Sequence, residues 1–261
     1  LTTSVCTTSG TSGSVTLLTT GTCTLQADQA GNATFNPAPS VQRSFAVSAT
    51  VPPSSLGIDK TVVKDGNGPI STAPFSTAGP GELLVAFVGS DGPTKGSQTI
   101  TVSGAGLAWT LVQRTNARHG SSEIWEASAP AQLSNVTVTS TQANGTTFGQ
   151  SLTVVAFEGA SGIGATASAN RATGAPRISL TTTVAGSWVF AVGNDWDRAT
   201  ARVVDTGQVM VHQFLDASGD TYWTQSQAAT TPTAGTVVTI DDTAPTLDRW
   251  NLSAVEILPS P

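Results

Sequence analysis

Short runs of alternating apolar and polar residues, separated by turn residues, cover the whole chain. In residues 1–50 they lie at 4–8, 14–19, 23–27 and 41–48, with the loop QAGNATFNPAPS between the last two. Longer runs follow from Ile58 to Leu258. Alternation with a period of two is the pattern of half-buried β-strands. No window of about 11 or more residues has apolar positions at helical spacing, so the pattern predicts an all-β chain.

Three runs in the second part are apolar at nearly every position: LLVAFVG (83–89), LTVVAF (152–157) and WVFAVG (188–193). Such runs suit central strands, and coverage on both faces would explain them. The strand runs show no repeat of fixed period, which favours two packed antiparallel sheets. We therefore predict that residues 58–261 form a larger antiparallel, jelly-roll-like β-sandwich, in which the last strand, RWNLSAVEILP, pairs with an early one.

The composition agrees with many strands and turns, since only 11% of residues are charged and glycine and proline occur throughout. The net charge is −6 and the chain has three lysines, Lys60, Lys64 and Lys95. It therefore lacks the cationic surface that phosphate backbones or anionic membranes require, and nucleic-acid binding is not expected. No run approaches the roughly 18 apolar residues of a membrane span, so we expect no membrane insertion; a secretion signal would lie upstream of Leu1.

Two cysteines, Cys6 and Cys23, enclose a segment rich in Gly, Ser and Thr, without the nearby ligands that a metal site would need. We predict a disulfide between two strands, which would contribute about 3 kcal/mol on the chain-entropy model and would imply an oxidising, extracellular setting. Two buried free thiols are the alternative.

The segment VCTTSGTSGSVTLLTTGTCTLQADQAGNATFNPAPSVQRSFAV, residues 5–47, resembles the C-terminal part of a bacterial immunoglobulin-like repeat. The resemblance implies a partial immunoglobulin-like spacer domain over 1–50, because such repeats have further strands ahead of the first cysteine. It also implies a larger, multidomain secreted protein. A Pro/Ser linker is predicted at 51–57. Residues 58–258, with AWTLVQR, EIWEASAPA and AVGNDWD, resemble β-sandwich modules of large bacterial secreted proteins, a resemblance that implies no activity.

Residues with catalytic chemistry do not converge in the sequence. His119 and His212 are each isolated, and no G-x-S-x-G motif is present. GASGIG (159–164) is interpreted as a turn, and the G-x-G-x-x-A spacing at 162–167 lacks the βαβ context of a dinucleotide site. Glu123 and Glu126 would point to opposite faces of one strand. We therefore predict that the chain is not an enzyme.

Aspartates cluster in turns, and the best calcium candidates are Asp195 and Asp197 in NDWD and Asp241 and Asp242 in IDD. The alternative is that they are ordinary turn residues, whose side chains bond the local backbone. Calcium is the one cofactor that the sequence suggests.

Aromatic residues give the candidate ligand sites. Trp109, Trp125 and Trp188 lie in apolar strands and suit the core. Trp196 is flanked by aspartates that are costly to bury, so its loop, Asn194 to Arg198, is the first place to look for a site.

A second candidate site is the hairpin VMVHQFL-DASGD-TYWTQSQ, in which residues 214 and 222 should oppose each other. Met210, His212, Phe214 and Tyr222 could then form a solvent-facing sugar platform, with Val209, Val211, Leu215 and Trp223 in the core; a one-residue bulge would exchange the two sets.

Lys60 in the first strand of the larger domain and Asn251 in its last could form an isopeptide bond, assisted by Glu256 or Glu158. An ordinary lysine and asparagine are the alternative.

These features favour a non-catalytic extracellular module of a larger secreted or cell-surface bacterial protein, which binds carbohydrate or a surface ligand through loops of the β-sandwich and contacts neighbouring domains of the same protein. The alternatives are a structural stalk or filament subunit without a small-molecule ligand and, third, a domain of a secreted polysaccharide-active enzyme.

Overall fold

The computed structural model describes residues 2–8, 13–47, 55–145 and 147–261, and these residues form strands, turns and loops. The all-β prediction is confirmed, and the described part of the chain contains no helix that could cross a membrane. The chain divides into two compact units, Leu1–Pro52 and Pro53–Pro261. Residues 51–54 of the predicted linker lie outside the described residues, and Gly57 already begins a strand.

The first unit contains two hairpins joined by a disulfide. Strand β1 (Cys6–Thr8) pairs with β2 (Val15–Leu17), and β3 (Gly21–Gln29) pairs with β4 (Ala38–Val47). The Cys6–Cys23 disulfide, with a Cα–Cα distance of 5.7 Å, connects β1 to β3 and confirms the predicted pairing. Among the described residues of this unit, these two cysteines are the buried hydrophobic side chains, whereas several large apolar side chains are exposed.

The second unit begins with an eight-stranded sandwich, here called the first sandwich. Its strands are β5 (Gly57–Asn67), β6 (Ile70–Ser71), β7 (Glu82–Ser90), β8 (Ile100–Gly104), β9 (Thr110–Thr115), β10 (Ser121–Ala129), β11 (Val138–Gln142) and β12 (Gly149–Glu158). They form a five-stranded sheet, β5-β12-β7-β10-β9, and a three-stranded sheet, β6-β11-β8.

The remaining strands form the second sandwich. They are β13 (Ala160–Arg171), β14 (Arg177–Thr181), β15 (Trp188–Asp195), β16 (Val203–Val204), β17 (Gln208–Leu215), β18 (Thr221–Gln227), β19 (Val237–Ala244) and β20 (Trp250–Pro259). Their sheets, β13-β20-β15-β18-β17 and β14-β19-β16, repeat the strand order of the first sandwich, each strand matching the one eight places earlier. The expectation of one sandwich without a repeat is therefore corrected to two sandwiches of the same topology.

Local details match as well. The β9–β10 pairing skips Val112 and the β17–β18 pairing skips Val211, so both hairpins have a bulge at the same place. A hydroxyl pair joins Ser71 to Thr139 at 2.7 Å, and another joins Ser179 to Thr239 at 2.8 Å. These matches define which residues of the two sandwiches are equivalent.

Three apolar layers hold the second unit together. Each sandwich has its own core between its five-stranded and three-stranded sheets, and a third layer lies between the two five-stranded sheets. Strand β7 shows both arrangements, because Leu84 faces the first core and Phe87 faces the second sandwich. Every residue of β7 is buried, which confirms that this run is covered on both faces.

Glycine permits the closest approach between the two five-stranded sheets. A Cβ atom on Gly89 of β7 would lie 2.9 Å from the carbonyl oxygen of Gly193 in β15. Nearby, the rings of Phe87 and Phe190 stack with centroids 5.6 Å apart. The sandwiches therefore meet through tightly packed backbone and rings, and substitution of Gly89 would force them apart.

Strand β13 is the element that the sequence prediction missed, because its first residues were interpreted as a turn. A Cβ atom on Gly164 would overlap the Glu256 carboxylate, which accepts hydrogen bonds from the backbone N–H groups of Ala165 (2.8 Å) and Thr183 (2.7 Å). Burial opposes ionisation, but these hydrogen bonds lower the pKa of Glu256 below its usual value. Gly164, which has no side chain, thus leaves room for the buried Glu256 carboxylate beside the bulged strand β13.

Candidate functional site

The loop Asn194–Arg198 follows the buried strand β15, as predicted, but its polar side chains bind one another and their neighbours. Asp195 is fully buried and forms an ion pair with Arg202, whose guanidinium lies 4.4 Å from the centre of the Trp223 ring. Asp197 pairs with Arg249, and Arg198 pairs with Asp248. The charged side chains of the loop are therefore already paired with charged residues elsewhere in the protein, and few of them are available to bind a ligand.

Trp196 is half-buried and its ring is already in contact with protein groups. The His119 ring stacks on it with centroids 4.0 Å apart, and the Arg249 guanidinium lies 4.3 Å from its centre. These contacts occupy indole surface that a sugar ring would use. Trp196 therefore connects this loop to the turn of residues 116–120, here called the 116–120 turn.

The four aspartates predicted as calcium ligands do not form one ligand set. Asp195 and Asp197 have arginine partners, and Asp241 accepts a hydrogen bond from Gln208 at 2.8 Å. Asp242 is buried and its oxygens have no hydrogen-bond partner; burial raises its pKa to about 7, while Arg202 acts in the opposite direction. Across the described residues, no three His, Cys, Asp or Glu side chains are grouped so that they could hold a metal ion.

The hairpin β17–β18 has the predicted pairing of Phe214 with Tyr222, but its proposed sugar platform is an internal surface. Tyr222 is fully buried, and its hydroxyl donates to Asp220 at 3.2 Å. Burial and the surrounding carboxylates raise the pKa of Tyr222. His212 lies 3.0 Å from both carboxylate oxygens of Asp65 in β5. The prediction of a solvent-facing platform is therefore wrong, because the first sandwich covers this face.

The bulge at Val211 also changes the other predicted set of this hairpin. Trp223 is in the core as expected, and Met210 packs in the same cluster. Val209 and Leu215, which were predicted to be buried, are exposed. The one-residue bulge thus exchanged the faces of Met210 and Val209, since it reverses the side-chain direction beyond it, whereas Leu215 keeps the predicted register and is exposed at the end of β17.

Asparagines hold the 116–120 turn of the first sandwich against the second. Asn194 donates to the His119 carbonyl at 3.0 Å, and Asn251 donates to the same oxygen at 3.2 Å and to the Asn194 side chain at 3.0 Å. The Asn251 amide oxygen accepts a hydrogen bond from the Arg118 N–H at 2.9 Å. Asn251 is thus engaged with the turn, whereas Lys60 is exposed on the edge strand β5, an arrangement that gives the isopeptide hypothesis no support.

This turn places Arg118 beside an open cleft of about 580 Å³. The cleft lies between the turn, the last residues of β13 and the first residue of β14. Its lining residues are Arg118, Ala169, Asn170, Arg171, Ala172, Thr173 and Arg177. Three of the chain's eight arginines therefore meet in one cleft of an acidic protein.

The cleft arginines differ from the others in their partners. Arg118 donates from Nε to the neutral side-chain oxygen of Asn170 at 3.1 Å, and Arg177, with a side chain 68% exposed, is 3.9 Å from Asp241. The side chain of Arg171 is exposed and has no hydrogen-bond or ion-pair partner among the described residues. In contrast, Arg114, Arg198, Arg202 and Arg249 each contact a carboxylate closely.

The cleft was difficult to predict from the sequence. Arg118 is far from Arg171 and Arg177 in sequence, and the pairing of β13 with β20 brings them together. The segment RATGAPR, with two arginines around a Gly/Pro turn, was the available signal. The predicted loop has an indirect connection to the cleft, because Asn194 and Trp196 contact the turn that carries Arg118.

A second group of ionisable residues lies at the other junction between the sandwiches. Burial raises the pKa of Asp91 to about 6, and the nearby Asp220 and Asp216 raise it further. Burial likewise raises the pKa of Asp220. One oxygen each of Asp91 and Asp216 is buried without a hydrogen-bond partner.

Glu123 and Glu126 on β10 have different surroundings, as expected for two residues that point to opposite faces of one strand. Glu123 is buried, pairs with Arg114 at 2.8 Å and accepts the Ile100 N–H at 2.9 Å. Burial raises the pKa of Glu126. The Glu123 contacts give it a structural role that links the two sheets of the first sandwich.

Comparisons with models of protein families, with curated proteins and with solved structures found no match. The resemblance of residues 5–47 to an immunoglobulin-like repeat therefore stays a prediction, and the geometry of the cleft is the basis for a function.

Proposed function

We propose that the chain is a non-catalytic extracellular module of a larger secreted or cell-surface bacterial protein, and that its two sandwiches bind carbohydrate or another surface ligand. The observation that carries the proposal is the cleft of ligand size lined by Arg118, Arg171 and Arg177, whose closest carboxylate contact among the described residues is the 3.9 Å ion pair of Arg177 with Asp241. The Cys6–Cys23 disulfide is compatible with an extracellular setting.

Rigid support of the cleft favours binding. Its walls come from both sandwiches, which share an apolar layer, so that the backbone of the cleft needs little ordering when a ligand binds. The aromatic platform that the sequence suggested is internal, and the binding role therefore moves from Trp196 and Tyr222 to the arginines.

The proposal is tested by applying the whole chain to an array of neutral and acidic bacterial-surface and plant glycans. We expect binding to at least one glycan class, reduced about tenfold or more by Arg171→Ala. Arg43→Ala, which removes an equal charge from the first unit, should bind like the wild type. Absence of binding to every glycan would reject a carbohydrate-binding role.

A stalk or filament subunit is a second candidate, favoured by the exposed apolar side chains of the first unit, among them Leu17, Leu18, Phe35 and Phe45. It predicts concentration-dependent assembly in sedimentation, weakened by Phe35→Ser. A chain that stays monomeric at all concentrations would exclude self-assembly through this surface.

A further inference from the structure

We propose that the arginine cleft recognises an oxyanion substituent, a carboxylate or a sulfate, on a surface polysaccharide. The inference rests on the proposed binding function and specifies its ligand class. Arg171, Arg118 and Arg177 bring three guanidinium groups to one cleft. Among the described residues Arg118 and Arg171 have no carboxylate partner, and Arg177 has a long ion pair with Asp241 at 3.9 Å. Guanidinium groups match oxyanions with paired N–H donors, and Arg is therefore suited to this recognition.

The charge of the rest of the protein makes this concentration of arginines informative. The chain has 17 acidic and 11 basic residues, so unpaired arginines could readily be neutralised by carboxylates. Arg198 and Arg249, a short distance along the same sandwich, are neutralised in that way. The cleft arginines keep their charge available, and a concave surface increases its effect on an approaching anion.

Arg118 is held in position by contacts that do not neutralise it. Its backbone N–H donates to Asn251, and its Nε donates to Asn170, so two neutral amides orient the residue. Among the described residues, its two terminal nitrogens have no hydrogen-bond partner. This leaves them free to donate to an anion, while Asn170 and Asn251 act as positioning residues.

The first sandwich lacks an equivalent of the cleft. Its register places Gly66 where the second sandwich has Arg171, and Pro69 where it has Arg177. In the second sandwich, the hairpin turn equivalent to the 116–120 turn is Asp216–Asp220, which contains two aspartates and no arginine. The arginines therefore do not follow from the strand topology that the two sandwiches share.

Two matched pairs of immobilised probes test the inference: polygalacturonate against its carboxyl-reduced form, and dextran sulfate against dextran. We expect retention on at least one anionic probe and at least tenfold weaker binding to its neutral partner. Binding should weaken as salt is raised. Retention of a chain with net charge −6 on a polyanion would require a local basic site.

Variants assign that binding to the cleft. Arg171→Ala should lower affinity about tenfold, Arg171→Lys should lose less, and Arg43→Ala should bind like the wild type. Tryptophan fluorescence on urea unfolding shows whether the variants remain folded, because all six tryptophans lie in the second unit.

The outcomes separate this inference from the proposed function. Equal binding to charged and neutral probes, or anionic binding that Arg171→Ala does not weaken, overturns the oxyanion site but leaves a carbohydrate-binding module. Loss of binding to both anionic probes together with binding of a neutral glycan on the array also overturns it. Failure with every glycan and probe rejects both. Retention on dextran sulfate alone identifies sulfate, and retention on polygalacturonate alone identifies carboxylate.

Discussion

The two sandwiches share one strand order, yet equivalent ends of their cores hold different buried polar groups. The first sandwich has neutral side chains where β7 ends, namely Ser90, Gln98 and Gln142. The second has charged side chains at the equivalent places where β15 ends, namely Asp195, Arg202 and Asp242. One topology thus tolerates two kinds of internal polar network.

The neutral network is satisfied largely by local hydrogen bonds. Gln142 donates to the Ser90 hydroxyl at 2.7 Å, and Gln98 donates to the carbonyl oxygens of Asp91 (2.9 Å) and Asn144 (3.1 Å). No member is ionised, so removal of one side chain leaves unpaired neutral groups with a moderate penalty.

The charged network depends on a single cation. The side chains of Arg202 and Asp195 are both fully buried, and Asp242 is also buried nearby. Burial raises the pKa of Asp195 to about 7 even though Arg202 acts to lower it. The comparison teaches that the same fold can be far more sensitive to mutation at one end than at the other, because a buried charge that loses its partner is strongly destabilising.

The largest expected effect comes from Arg202→Met. It leaves Asp195 and Asp242 buried without their counter-charge, and we expect a loss of about 3–5 kcal/mol in unfolding free energy. The equivalent change Gln98→Met should cost about 1–2 kcal/mol. Urea unfolding followed by tryptophan fluorescence measures both.

A combined variant sharpens this prediction. Asp195→Ser, Arg202→Gln and Asp242→Gln together copy the side chains of the first sandwich, and should recover part of the loss caused by Arg202→Met. Equal costs for Arg202→Met and Gln98→Met would show that the two networks are not energetically different.

A smaller, pH-dependent effect is expected at the carboxylate junction. The raised pKa of Asp91, about 6, means that its contribution to stability is fully present below its ordinary value of 3.8 and is lost as the pH rises through 6. Asp91→Asn should therefore match the wild type near pH 3.5 and exceed it by about 2 kcal/mol at pH 8. Unfolding midpoints across this range test it.

Asp205→Asn provides the control, since it removes the same charge from an exposed residue and should change the midpoint little at any pH. A stability advantage of Asp91→Asn that is equally large at pH 3.5 and pH 8 would contradict the assignment of the effect to ionisation of Asp91.

The smallest effect is expected where the two sandwiches are most alike. Thr139→Val and Thr239→Val each remove one exposed hydroxyl pair, with Ser71 and Ser179 respectively, and each should cost about 0.5 kcal/mol or less. The two losses should be equal within error. A difference above about 1 kcal/mol would show that matched geometry does not imply matched energetics.

The sequence predicted the features that depend on local pattern. Apolar continuity identified β7 as a doubly covered strand, and the cysteine spacing led to the correct disulfide. Strand β13 was missed because ASGIGATASANR consists mainly of small residues, which resemble a turn until their pairing with β20 is known.

The repeat itself left almost no trace in the sequence. Strand topology constrains which face each residue takes, but apolar residues of different size satisfy the same constraint. Polar residues at equivalent positions also differ, as Gln98 and Arg202 do. Likewise, the partners of the predicted loop, Asp248 and Arg249, are about fifty residues away, so sequence alone could not show that its charges were already paired.

The cleft needs Arg118 from one sandwich and Arg171 and Arg177 from the other. At the equivalent junction the matching positions are Gly66, Pro69 and the turn Asp216–Asp220, which contain no arginine. Binding should therefore saturate at one oxyanion group per chain. A polymer bearing many such groups would engage a single chain monovalently, so firm attachment would require several chains displayed on one surface.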